Sequence, residues 1–329
     1  GSRTSDGCQP AYALLANLIP EFGTAAYRNT ELLARCTADN GLLYGGLHYA
    51  EHGVGACLHH TFAHAKPLAF VLDLEDRLPE ITPAAPLPRV RASGVKSFPE
   101  IAVDLIAKGP WRATVSAYDH IYKKGVLHGT GGSLTLLHHA ELGLLCAASM
   151  ASYREVERFN QQPDPDGEDF CLTPRQEAII DNLWYTNIHD LEASVERRVT
   201  DQMITLTSTT RLANSEHQPP VKLSVNCSFE YAFSDREVRI TSIHSGDILA
   251  VDFILPIISP WGETVRQISP REIEIEKPGG TLRITASEEM TIIPTKRERI
   301  FNMVPGVQAV PLRVRLPASG QASYLLNMV

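Results

Sequence analysis

The sequence predicts an α+β, multidomain chain, with a helical N-terminal piece over residues 1–108 followed by a large antiparallel β-sandwich over residues 109–329. Three observations predict it. Apolar residues recur at helical spacing in the first third of the chain. From Trp111 onward, short runs, many of them rich in Val, Ile and Thr, alternate with turn residues. A Pro-rich stretch between them, Leu78 to Pro88 (LPEITPAAPLP), reads as a linker or an extended arm.

Taken in order, Ala11 to Ile19 and Thr30 to Cys36 read as helices, with Thr30 as an N-cap and Asn40-Gly41 as a stop. Gly55 to Leu74 (GACLHHTFAHAKPLAFVLDL) is the strongest helix, which Pro67 should end or kink. Phe98 to Lys108 adds one short helix. Strands follow at Trp111 to Tyr118, Ser133 to His138, Gly143 to Ser149, Met203 to Thr209 and Val221 to Phe229. Further strands lie at Glu237 to His244, Asp247 to Phe253, Glu272 to Ile275, Thr281 to Thr285 and Leu312 to Leu316. There is no internal repeat.

Hydrophobic residues at 43% and charged residues at 21% are ordinary globular usage. The net charge of -8 argues against a nucleic-acid partner, although a locally basic cleft could still take acidic sugars. No apolar run reaches the roughly 18 to 20 residues of a membrane span. Gly1-Ser2-Arg3 resembles a cloning remnant, so a natural signal or upstream sequence is expected to have been removed. The six cysteines lack CxxC spacing and read as free, partly buried thiols rather than a zinc framework, with a single disulfide left open.

The densest chemistry lies between Tyr44 and Lys66, which holds five of the twelve histidines: His48, His52, His59, His60 and His64. Imidazole exchanges protons near neutral pH and is a common metal ligand. The phenols of Tyr44 and Tyr49 can act as general acids or bases in the right surroundings. On a helix His60 and His64 share a face. The HExxH zinc pattern is absent, because Thr61 stands where its glutamate would be. Core packing accounts for one or two of these histidines more readily than for all five. Gly45, Gly46, Gly53 and Gly55 suggest a loop shaped around something, against the plainer reading of an exposed glycine-rich turn.

A second group gathers His120, Tyr122, Lys123, Lys124 and His128 before Gly129 to Gly132; with Arg112 its lysines could face an anionic substrate, or simply form a solvated hairpin. The GxxxxGK[ST] pattern of a nucleotide loop is missing. His138, His139 and Glu141 could ligate a metal, but strand alternation lets at most one of the two histidines face a given site, and a core strand after a turn is the plainer reading. The acidic loop Asp164 to Asp169 could offer oxygens to calcium, though a solvated turn suits it better. There is no GxSxG elbow.

With these segments in hand, the chain resembles the heparinase II/III-like superfamily of polysaccharide lyases. Gly129 to Glu157 (GTGGSLTLLHHAELGLLCAASMASYREVE) is similar to the first sandwich strands of its bacterial members. HHTFAHAKPLA (His59 to Ala69) is similar to a late helix of their α/α toroid, and LTPRQE (Leu172 to Glu177) also fits. The resemblance implies a partial α/α-toroid ahead of the sandwich, and β-elimination on a uronic-acid polysaccharide. It implies His48 or His60 near the carboxylate or as base, Tyr49 or Tyr118 as acid/base, and His128 completing the cleft. His52, His64, Lys66, Arg112 and Lys124 are the expected substrate-binding groups. No cofactor is required; a structural zinc, with His139 as one ligand, or a calcium is the metal the resemblance allows. A full toroid needs more residues than precede the sandwich, so association with a missing helical portion or a homo-oligomer is expected. The resemblance places the protein in the periplasm or outside the cell. The alternatives are a non-catalytic carbohydrate-binding or assembly module and a metal-dependent hydrolase.

Overall fold

The computed structural model describes residues 8–78, 85–117, 130–149, 170–221, 223–247 and 250–329. Among these, residues 8–92 with Met303–Val307 form one compact unit, and the rest form a second. Tyr118, His120, Tyr122, Lys123, Lys124, His128 and the acidic loop around Asp164 lie outside the described residues.

In the first unit, helix α1 (Gln9–Leu15) packs beside α2 (Pro20–Arg35). The buried Gln9 amide joins them, donating to the Ala26 carbonyl and the Thr30 hydroxyl, both at 2.9 Å, and accepting from Asn29 at 2.8 Å. Thr30 therefore sits mid-helix rather than at an N-cap. The helix begins instead at Pro20, whose fixed φ and missing N–H suit a first turn. After the short α3 (Tyr49–His52) comes α4 (Leu58–Asp73). Pro67 lies inside α4 without ending it, and Cys57 caps it by accepting from the His60 amide at 3.4 Å. The face of α4 carrying His60 and His64 is buried. Its opposite stripe, Leu58, Phe62, Ala65, Ala69 and Leu72, is exposed. A four-residue helix, α5 (Pro88–Arg91), is the last of the unit's helices.

The second unit is antiparallel β throughout. Strands β1 (Gly94–Phe98), β2 (Val103–Lys108), β3 (Trp111–Ser116), β4 (Ser133–His139) and β5 (Gly143–Ala147) form a five-stranded sheet in chain order. A six-stranded sheet has the order β16 (Met290–Ile292), β18 (Val307–Arg315), β12 (Asp252–Ile258), β6 (Arg175–Ile180), β7 (Leu183–Thr186), with β17 (Ile300–Asn302) paired to β18. An eight-stranded sheet runs β13 (Val265–Ser269), β14 (Glu272–Lys277), β15 (Gly280–Ala286), β19 (Gln321–Met328), β11 (Glu237–Gly246), β10 (Val225–Phe233), β9 (Ile204–Arg211), β8 (Ser194–Val199). Burial alternates along β9 and β15, as it must where one face of a sheet meets the core. β12, central in its sheet, is buried along nearly its whole length. Trp111, Leu137, Phe229, Phe253, Ile284 and Tyr324 belong to one apolar core drawn from all three sheets.

The expected partial α/α-toroid is overturned. The described residues hold nineteen strands and five α-helices, only two of which reach 16 residues. Helical spacing over so short a stretch cannot distinguish one packed helix pair from a ring of them. The β-rich remainder fits a sandwich. Phe98 to Lys108 is also not a helix: β2 pairs β1 on one side and β3 on the other. Its buried Asp104 carboxylate accepts from Ser97 and Arg197, both at 2.5 Å. Tertiary pairing here outweighs local preference.

The glycines before β4 serve close packing. Gly131 has φ +65°, and a Cβ there would lie 1.8 Å from the Asn187 carbonyl oxygen. Asn187 in turn donates to Gly131 O and Ser133 Oγ and accepts from the Gln176 amide, tying β4 to β6. Gly131→Ala should therefore destabilise the protein by about 2–4 kcal/mol. Denaturant unfolding checks this, and an unchanged midpoint would contradict the packing role.

Candidate active site

The histidine-rich segment is pinned from both ends. Leu43 accepts from the Cys57 amide at 3.0 Å and donates its own N–H to Thr61 Oγ1 at 2.8 Å. Between them the chain lies against Met303–Val307. His48 N–H donates to the Gly306 carbonyl at 3.1 Å, and the buried Tyr49 phenol donates to the Met303 carbonyl at 2.9 Å. Gly46 is where the two backbones meet: a Cβ on it would lie 2.8 Å from Gly306 Cα and 2.9 Å from the Tyr49 ring. The glycine-rich loop is thus shaped around another stretch of this same chain. Gly53, at φ 83°, ends α3 in the left-handed conformation and turns the chain toward α4.

The imidazoles fall into three environments. His52, His60 and His64 are buried, and His60 and His64 stack with centroids 6.1 Å apart and planes within 10°. The helical i, i+4 spacing makes that pair. His59 meets His60 edge-on at 5.9 Å but is itself exposed, as is Lys66. His48 and Tyr44 are half-buried beside the loop. His48, Tyr49, His52, His59, His60 and His64 all belong to the first unit, and ring contacts join His59, His60 and His64.

Arg112 and His139 belong to the second unit and do turn work there. Arg112 Nη1 donates to the Gly109 and Trp111 carbonyls, each at 2.7 Å. The His139 ring packs edge-on against Trp111 at 4.6 Å, and its Nδ1 accepts from the Glu141 and Leu142 amides at 3.2 and 3.3 Å. Burial pushes its pKa down, partly offset by Glu141. A neutral ring with Nδ1 so engaged anchors the β4–β5 turn. Among the described residues no group of three or more His, Cys, Asp or Glu side chains comes together to hold a metal.

Two family profiles match the chain, the ulvan lyase N-terminal domain over residues 1–90 and the ulvan lyase C-terminal domain over residues 95–327. The chain belongs to the ulvan lyase family. The gap between the two matches falls where the two compact units divide. The broad-specificity ulvan lyase of Formosa agariphila is 47% identical over 317 residues, covering 95% of this chain and 49% of that protein. The chain thus spans about half the length of the curated relative it matches. Among solved structures, the Streptomyces coelicolor chondroitin AC lyase is 14% identical, with a TM-score of 0.34 over 82% of this chain and 36% of that one. The 4-alpha-glucanotransferase of Thermococcus litoralis is 11% identical, with a TM-score of 0.43 over 72% of this chain and 39% of that one. Both likenesses are distant.

The chain also carries a polar cluster that sequence reading missed. Arg175 and Glu177, two apart on β6, share a face. Arg175 is buried, its Nε 2.6 Å from the Glu177 carboxylate and its Nη1 donating to the Cys171 and Thr173 carbonyls. Its guanidinium lies 5.0 Å from the Phe170 ring centroid and 5.6 Å from that of Trp184. The Trp184 indole donates to Glu177 as well, at 3.0 Å. The buried His189 meets Trp184 edge-on at 5.0 Å, and its carbonyl bonds the His217 ring at 2.7 Å. The only signal in the sequence was the Arg-x-Glu alternation inside LTPRQE.

Burial lowers the His189 pKa to about 4, with His217 and Arg175 adding to the shift and backbone contacts at Ala213 and Asn214 opposing it. The folded protein keeps this ring neutral where the unfolded chain, with its ordinary value of 6.5, already takes up a proton. Its contribution to stability is therefore complete above pH 6.5 and is lost as the pH falls from 6.5 toward 4, by on the order of 3 kcal/mol. Thermal melts across that window should show a shallower acid loss in His189→Gln than in the wild type. Parallel curves would contradict this origin.

Proposed function

We propose that this chain forms part of a lyase that cleaves ulvan, an acidic uronic-acid polysaccharide, by β-elimination. The 47% identity to a named ulvan lyase across 95% of the chain carries the reading. The reaction needs a base for the C5 proton, charge stabilisation at the neighbouring carboxylate and an acid for the departing O4. It moves protons and stabilises charge, so no cofactor is required.

The first unit offers groups for these tasks. His48 sits half-buried beside the loop, with the stacked His60 and His64 buried on α4. We assign His48 and His60 to proton transfer and carboxylate contact, with His52, His64 and Lys66 as substrate neighbours. Tyr49 holds the segment in place through Met303, and Tyr118 remains our choice for the acid. The resemblance of Gly129 to Glu157 and of LTPRQE to segments of the heparinase II/III-like lyases supports the same chemistry. Such polymers lie outside cells, so we place the protein in the periplasm or beyond it. The outward apolar stripe of α4 supports association with a second protein surface. No helix of the described residues is long and apolar enough to cross a membrane.

The test follows ultraviolet absorbance of the new C4–C5 double bond as ulvan is cleaved. The wild-type protein should produce it. His48→Ala and His60→Ala, with circular dichroism unchanged, should each slow turnover by about a hundredfold or more. Wild-type rates in both variants would overturn the assignment.

A further inference from the structure

Within the second unit, a surface groove of about 490 Å³ lies beside β13, β16 and β18. Apolar Val265, Ile293 and Val310 line it together with Lys296, Arg297 and Glu298. Arg299 also contributes, so three cations face one carboxylate in a chain whose net charge is -8.

Two acidic groups close to Arg299 have further partners of their own. Glu298 accepts from the Trp261 indole at 2.6 Å, and Glu263 pairs with the buried Lys277 at 2.7 Å. Arg299 is 8% exposed and gives its nitrogens to the backbone carbonyls of Ser259, Glu298 and Glu263 at 3.2, 3.0 and 2.8 Å. Carbonyls take up its N–H groups, and the Glu298 and Glu263 carboxylates offset part of its charge. The buried Arg299 thus lines the groove with the exposed Lys296 and Arg297, in surroundings that screen charge less than water does.

Trp261 adds the second element. Its side chain is 59% exposed, yet the bond to Glu298 fixes the ring's direction, and its own amide donates to Gln308 at 3.0 Å. An aromatic ring oriented in water by Glu298, itself a lining residue of the groove, is suited to stacking on a sugar ring while the lining cations meet its acidic substituents.

We propose that Trp261, Lys296, Arg297 and the groove they border form a carbohydrate-binding site for an acidic polysaccharide chain, built without any residue of the histidine segment. The site serves to retain polymer rather than to cleave it. This rests on the reading of the protein as acting on acidic polysaccharide.

The test compares Trp261→Ala and the double variant Lys296→Ser/Arg297→Ser with the wild type. Affinity for ulvan is measured by retardation in polymer-containing native gels, and kinetics are followed on polymer. Each variant should bind about tenfold more weakly. Each should raise KM for the polymer while kcat stays within about twofold. Added salt should narrow the gap between wild type and the charge variant but not that of Trp261→Ala. Should Trp261→Ala lower the melting temperature, the charge variant alone decides. Wild-type affinity and KM in the variants would overturn the site while leaving the lyase reading intact. A wild-type protein that neither retains nor cleaves ulvan would overturn both.

Discussion

The Tyr49 phenol and the Met303 carbonyl meet across 254 residues of chain, and the candidate active site depends on that meeting. Met303–Val307 belongs with the first unit although it joins β17 to the start of β18. Gly46 and Gly306 let the two backbones touch, the His48 amide adds a hydrogen bond, and the histidine-rich loop takes its shape from that contact. A proton-transfer site needs its groups held to within a fraction of an ångström, and a loop alone does not supply such rigidity. Here the supporting surface comes from the far end of the chain.

The second unit solves a different problem. Three antiparallel sheets share one apolar core, and polar groups at their junctions must find partners or lose stability. Asn187 satisfies the start of β4 and the amide of Gln176 together. Arg175 does the same for the segment before β6 and for Glu177, between two aromatic rings. These groups set the frame on which surface features such as the Trp261 groove are mounted.

Local features were legible in the sequence and distant pairings were not. Helical spacing placed His60 and His64 on one face, and they stack there. The pattern of Val-, Ile- and Thr-rich runs between turn residues marks β9, β10, β11 and β15, and burial alternates along β9 and β15. It missed β2, because Val103–Lys108 reads equally well as a helix until β1 and β3 flank it. The α/α toroid is implied by a resemblance in which only one of the three segments is helical, and one helix carries no information about how many others surround it. The glycines of the histidine loop were read as room for a ligand, whereas Gly46 makes room for Gly306. Neither Met303 nor Trp261 belongs to any motif; their roles exist only once distant strands have paired.

The most direct test of the central contact is Gly46→Ala, since the added methyl would sit 2.8 Å from Gly306 Cα. The account predicts that kcat on ulvan falls by at least about tenfold while near-ultraviolet circular dichroism of the β unit's aromatic core stays as in the wild type. A variant that keeps wild-type kcat with the loop displaced would contradict it.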